Sequence, residues 1–151
     1  MQTKCGNIYY NARKAAGLTQ ERWAEVLGVS VSAVAQYESG EITPADDVVL
    51  SMADYSGLQI LGTWHLRHKS QVAAAVLPPV ERLPLAQAVV QLLAAMRDFE
   101  REHHIDTLLQ IAFDGRVDPE EEPIFSEVAG DLRAVVRAAL QVEYSEKGGA
   151  E

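Results

Sequence analysis

A chain of 151 residues, 48% hydrophobic and 23% charged, has the apolar material for one ordinary domain or two small ones, and its longest apolar stretches end well before the roughly twenty residues a membrane span requires. The formal net charge of -9 argues against casual nucleic-acid binding, which normally leaves a basic footprint, but the charge is uneven: residues 1–68 hold five bases and seven acids, and the remainder carries -7. Met1-Gln2-Thr3-Lys4 leads into no signal-type apolar region, and the single Cys5 can neither close an internal disulfide nor build a zinc motif, so the expected location is the cytoplasm.

From Asn7 to Ala16 the pattern is helical, with Ile8, Ala12 and Ala15 on related faces and Gly17 as the stop. Thr19 caps a second helix, about Gln20 to Leu27, which ends at Gly28; Ser30 caps a third, from Val31 to about Ser39, closed by Gly40. Thr43-Pro44 opens a fourth helix with proline at its first position, burying Val48, Val49, Met52 and Ala53. After Gly57 a fifth short helix buries Leu58, Leu61, Trp64 and Leu66. Residues 69–84 contain Leu77-Pro78-Pro79 and Leu83-Pro84, which no helix crosses unbroken, and read as a linker. Beyond it, Leu85, Val89, Leu92, Leu93, Met96 and Phe99 make one apolar stripe, and Ile105, Leu108, Leu109 and Ala112 another slightly out of phase. One bent helix, or two joined near His103-His104, accounts for both. Asp114-Gly115 stops it, Asp118-Pro119-Glu120-Glu121 reads as a capped restart, and Pro123 argues that the regular helix begins a few residues later. The stripe Val128, Leu132, Val135, Val136, Ala139 and Leu140 follows, so residues 85–151 are expected to form a long antiparallel helical hairpin.

Within the run from Gly17 to Gly40 each position has a physical task. Ala24 is small where two helices touch, Gly28 permits a positive backbone angle, and Val29, Val34 and Tyr37 seat the third helix on its neighbours. Thr19-Gln20, Ala24, Leu27-Gly28-Val29-Ser30, Val34, Tyr37-Glu38 and Gly40 stand where the Cro/C1-type (XRE) helix-turn-helix pattern puts them, and residues 7–57 resemble that family. The resemblance implies an all-α, five-helix lambda-repressor-like DNA-binding domain over residues 1–68. The helix from Val31 would enter the major groove N-terminus first, with Val31, Ser32 and Gln36 toward base edges and Gln20 and Ser39 on phosphates. It also implies that Arg13 and Glu38 form a structural ion pair. The residue chemistry suits these roles: Gln36 can bond adenine through two edges, Ser32 donates and accepts, and Val31 packs on a thymine methyl.

Many members of the family carry Arg or Lys on this helix, whereas Val31, Ala33, Ala35 and Glu41 bring no positive charge. Phosphate contacts then fall to Lys4, Arg13, Lys14, Arg22 and helix N-termini, which predicts modest affinity per monomer and a strong dependence on dimerisation. The expected partners are a palindromic double-stranded DNA operator and a second copy of the chain, joined through residues 85–151. The arrangement of Leu66, Leu77-Pro78, Leu83-Pro84 and Asp114-Gly115-Arg116-Val117-Asp118-Pro119-Glu120-Glu121 resembles the tail found behind such domains in some regulators. The competing reading is a protein-interaction adaptor that keeps the fold without binding DNA, favoured by the acidic charge.

No phosphate-binding glycine loop and no defensible nucleophile is present, so neither an enzyme nor a cofactor is expected. Asp114-Gly115-Arg116-Val117-Asp118 with Glu121 mimics the second half of a calcium loop, but counting back from Gly115 places the opening ligands on Gln110 and Ala112, inside a helix. His65 with His68, and His103-His104 beside Glu102 and Asp106, lack a third ligand and read as solvated helix faces, so no metal is expected.

Overall fold

Short polar residues and positive-φ glycines set the helices of the front half. The Asn7 side chain accepts from the Tyr9 N–H to start α1 (Ile8–Ala16), Thr19 from Arg22 to start α2 (Gln20–Leu27), and Ser30 from Ala33 to start α3 (Val31–Ser39). α4 (Asp46–Ser56) and α5 (Leu61–Lys69) complete a five-helix bundle. The computed structural model describes residues 7–146, so Lys4 and Cys5 lie outside the described residues. The chain divides into two units, Met1–Pro79 and Val80–Glu151, and the described residues of both are helical.

In the first unit Tyr9 and Ala12 of α1, Trp23 and Ala24 of α2, Val34 of α3, Met52 and Ala53 of α4 and Leu61 of α5 form one core. Three expectations are corrected there. The fourth helix begins at Asp46, not at Pro44: Ala45 is the N-cap, while Pro44 is fully buried in the extended stretch before it. Asp46 and Asp47 then occupy the first turn, where the helix dipole favours negative charge.

The second correction concerns the phase of α5. Leu58 and Ile60 enter the core from the turn ahead of the helix, so the inward line runs from Leu61 to His65, one turn on; Leu66 is 44% exposed and Trp64 half-buried. Third, the stretch expected as a linker, residues 69–84, holds a helix, α6 (Gln71–Val76). The helix-breaking prolines begin only at Pro78, and Ser70 both ends α5 and caps α6 by accepting from Ala73. Arg67 of α5 donates to the carbonyls of Ala74 and Leu77, satisfying the C-terminal end of α6.

In the second unit α7 (Leu85–Arg101) packs against α9 (Glu122–Glu143), with the short α8 (His104–Ile111) between them. The Glu146 N–H donates to Leu83 O, 2.9 Å, which brings the start of α7 to the end of α9 and makes the pair antiparallel. His103, in the left-handed region at φ 56°, is the joint between α7 and α8. At the other connection the Asp118 N–H bonds the Glu121 carboxylate, and α9 starts at Glu122 with Pro123 in its first turn.

The core here is thin. Its buried apolar members are Val80, Ala88, Ile111, Val128 and Ala138, whereas Leu93, Met96, Ile105, Leu109 and Val136 are more than half exposed. His104 corrects the expectation of a solvated histidine. It is 2% exposed, with Nε2 2.6 Å from an Asp131 carboxylate oxygen and its ring 5.2 Å from Phe99, so it fastens α8 to both longer helices.

Candidate nucleic-acid interface

The turn between α2 and α3 rests on Gly28, whose φ of 67° lets its N–H and that of Val29 bond back to the carbonyls of Glu25 and Ala24. Ser30 then starts α3 at once. Val34, 1% exposed, anchors α3 on the core, with Val29 and Tyr37 half-buried beside it. The opposite side of α3 is open: Val31 is 41% exposed, Ser32 and Ala35 are exposed and Gln36 is partly so. Because Val31 and Ser32 follow directly on the Ser30 cap, they stand at the helix end where unpaired N–H groups favour a phosphate.

Glu38, on the inner side of α3, sets the angle of that face. Its two carboxylate oxygens take Arg13 Nε at 2.5 Å and Nη2 at 3.0 Å, a bidentate pair with both side chains about nine-tenths buried. Arg13 also donates to Leu18 O at 2.9 Å and lies over the Tyr10 ring, 5.2 Å from its centre. The Glu38 hydrogen bond keeps the Arg13 guanidinium firmly protonated despite its burial. One pair thus joins α1, the α1–α2 turn and α3. At the other end of α1 the Asn7 amide donates to Tyr37 O, a second tie to α3.

The remaining anticipated site residues differ in how free they are. Gln20 Nε2 donates to Glu38 at 2.9 Å, which orients the amide and, among the described residues, leaves its second N–H unspent. Ser39 Oγ donates to Gln36 O and accepts from the Glu41 N–H, so it serves the end of α3 first. Arg22 pairs on the surface with Glu25, 2.5 Å away, and Lys14 is exposed on the last turn of α1.

One cluster was not anticipated. His65, 2% exposed, has Nδ1 2.8 Å from the Tyr9 hydroxyl and Nε2 3.0 Å from Asp46, which also takes Lys69 at 2.6 Å. Burial raises the Tyr9 pKa, so its hydroxyl stays protonated and can donate to Nδ1; Nε2–H then donates to Asp46. The Lys69 ammonium first, and His65 second, hold the Asp46 carboxyl below its ordinary range. The cluster ties α5 to α1 and α4.

Residues 10–60 match the family model described as Helix-turn-helix, which spans from the first turn of α1 to the residue before α5. No curated protein and no solved structure gave a match. No helix among the described residues is long and apolar enough to cross a membrane, and no three of their His, Cys, Asp or Glu side chains are grouped to hold a metal. Residues 10–60 of the front unit are therefore a helix-turn-helix domain of the Cro/C1 (XRE) type, a type found in DNA-binding transcription regulators.

Proposed function

We propose that the chain is a non-enzymatic, sequence-specific transcription regulator of the cytoplasm that binds a palindromic DNA operator as a dimer. The observation that supports this most directly is the division of α3 into a side pinned by Val34 and Glu38 and an open side carrying Val31, Ser32 and Gln36. An open, uncharged helix face on a rigid mount suits reading base edges in the major groove. Val31 packs on a thymine methyl, Ser32 bonds a base or its neighbour, and Gln36 takes adenine through two bonds. Lys14, Arg22, the second N–H of Gln20 and the Ser39 hydroxyl take phosphates.

This face has few cations, so the electrostatic contribution per copy is small and a second copy has to supply the rest. Residues 85–151 provide it, with their thin core and outward apolar stripes. Selection from randomised duplexes at two salt concentrations tests the reading. It predicts an enriched motif with two-fold symmetry, bound more weakly as salt rises; recovery of no motif at either salt would instead favour an adaptor that contacts protein.

A further inference from the structure

The apolar stripes of the second unit converge. Leu93 and Met96 of α7, Ile105 of α8 and Leu132 of α9 line one groove of about 500 Å³, and they are 53%, 52%, 55% and 40% exposed. Single apolar side chains scattered over a surface are ordinary, but four large ones about half exposed around one groove are not scattered. Arg97 and Glu100, one turn apart on α7, line the same groove, and neither makes an ion pair among the described residues.

The charge on this groove says what covers it. Residues 80–151 hold seven bases and fifteen acids, a balance of -8, so a partner drawn by charge would be basic and would meet carboxylates. The groove instead has one Arg and one Glu, which cancel. Contact between identical patches about a two-fold axis requires each patch to complement itself, and one charge of each sign beside an apolar strip does so.

We infer that this groove is the centre of a two-fold interface with a second copy of the chain, in which Arg97 of each copy meets the partner's Glu100. The inference rests on the reading of the second unit as the assembly unit and names the surface that does the work. An axis through α7 between Asp98 and Phe99, with the two α7 helices antiparallel, places Arg97 opposite the partner's Glu100. Leu93 and Met96 line the groove on the same side of α7 as Arg97 and Glu100, so the same crossing covers the apolar strip.

The test is the dimer dissociation constant of the full chain by sedimentation equilibrium, with helicity and thermal unfolding followed for each variant. Leu93→Glu should weaken the dimer by about 100-fold or more, since it places a carboxylate in the closed strip. Arg97→Glu and Glu100→Arg should each weaken it by about tenfold or more through like charges, yet an equimolar mixture of these two variants should form a heterodimer near wild-type affinity. Surface substitutions of this kind leave the helices intact, so a folded monomer is the expected single-variant state. A wild-type monomer at every concentration would overturn both the inference and the dimer reading. A wild-type dimer with both charge variants unchanged, or with no recovery on mixing, would overturn the groove and its reciprocal pair alone.

Discussion

Glu38 fixes α3 from its inner side, because one buried carboxylate holds Arg13 by two bonds and orients Gln20 by a third. Truncating it to Ala strands a guanidinium that is nearly nine-tenths buried, and should cost about 3–5 kcal/mol in thermal or denaturant unfolding. Lys14→Ala should leave stability unchanged, weaken binding to all DNA sequences alike and lower the salt slope by about one ion per copy. At Asp46 the folded carboxyl titrates below the unfolded one, so its pairing contributes stability above the ordinary value of 3.8 and loses it as pH falls through the lower folded value. Asp46→Asn should therefore reduce stability at neutral pH and shallow its acid decline, as followed by unfolding at pH 2–7. The Arg13–Glu38 pair was legible because the family pattern marks both positions. His65 was not: the Tyr9 hydroxyl that satisfies it is 56 residues away, and its spacing from His68 suggested only a solvated face.

At the scale of elements, caps and glycines were legible wherever the signal is local. Thr19, Gly28, Ser30 and Gly40 mark the ends of α2 and α3 as read from the chain. Gly28 shows the physics by itself: a Cβ there would meet nothing within 4 Å, so Gly28→Ala should cost about 1–2 kcal/mol from backbone conformation alone, measurable in urea. Where tertiary packing decides, local signals mislead. Pro44 satisfies the rule for a first helical position, yet its burial against the core holds the chain extended through Ala45. The phase of α5 follows from the turn that inserts Leu58 and Ile60, and α6 forms where only the later prolines were conspicuous, because Arg67 completes its end. The stripes of α7, α8 and α9 were legible as amphipathic. Which part of each stripe stays uncovered depended on how the small residues Ala88, Val128 and Ala138 bring α7 and α9 together, which no periodicity reports.

For the whole molecule, the uneven charge and the uneven core belong to one design. The front unit has a full core and a rigid open helix; the rear unit has small buried residues, large exposed ones and most of the negative charge. If the rear unit couples two readers, residues 1–79 alone should fold, sediment as a monomer and bind the palindrome about 100-fold or more weakly than the full chain, through lost effective concentration. The claim beneath all of this is that the open side of α3 discriminates bases through uncharged side chains. It is tested most directly by measuring, at one fixed salt, the affinities of wild-type and Gln36→Ala protein for the selected operator and each of its single-base variants. Loss of about 1–3 kcal/mol of discrimination at one position in each half-site, with the other positions unaltered, is the predicted result; an identical profile at every position would contradict it.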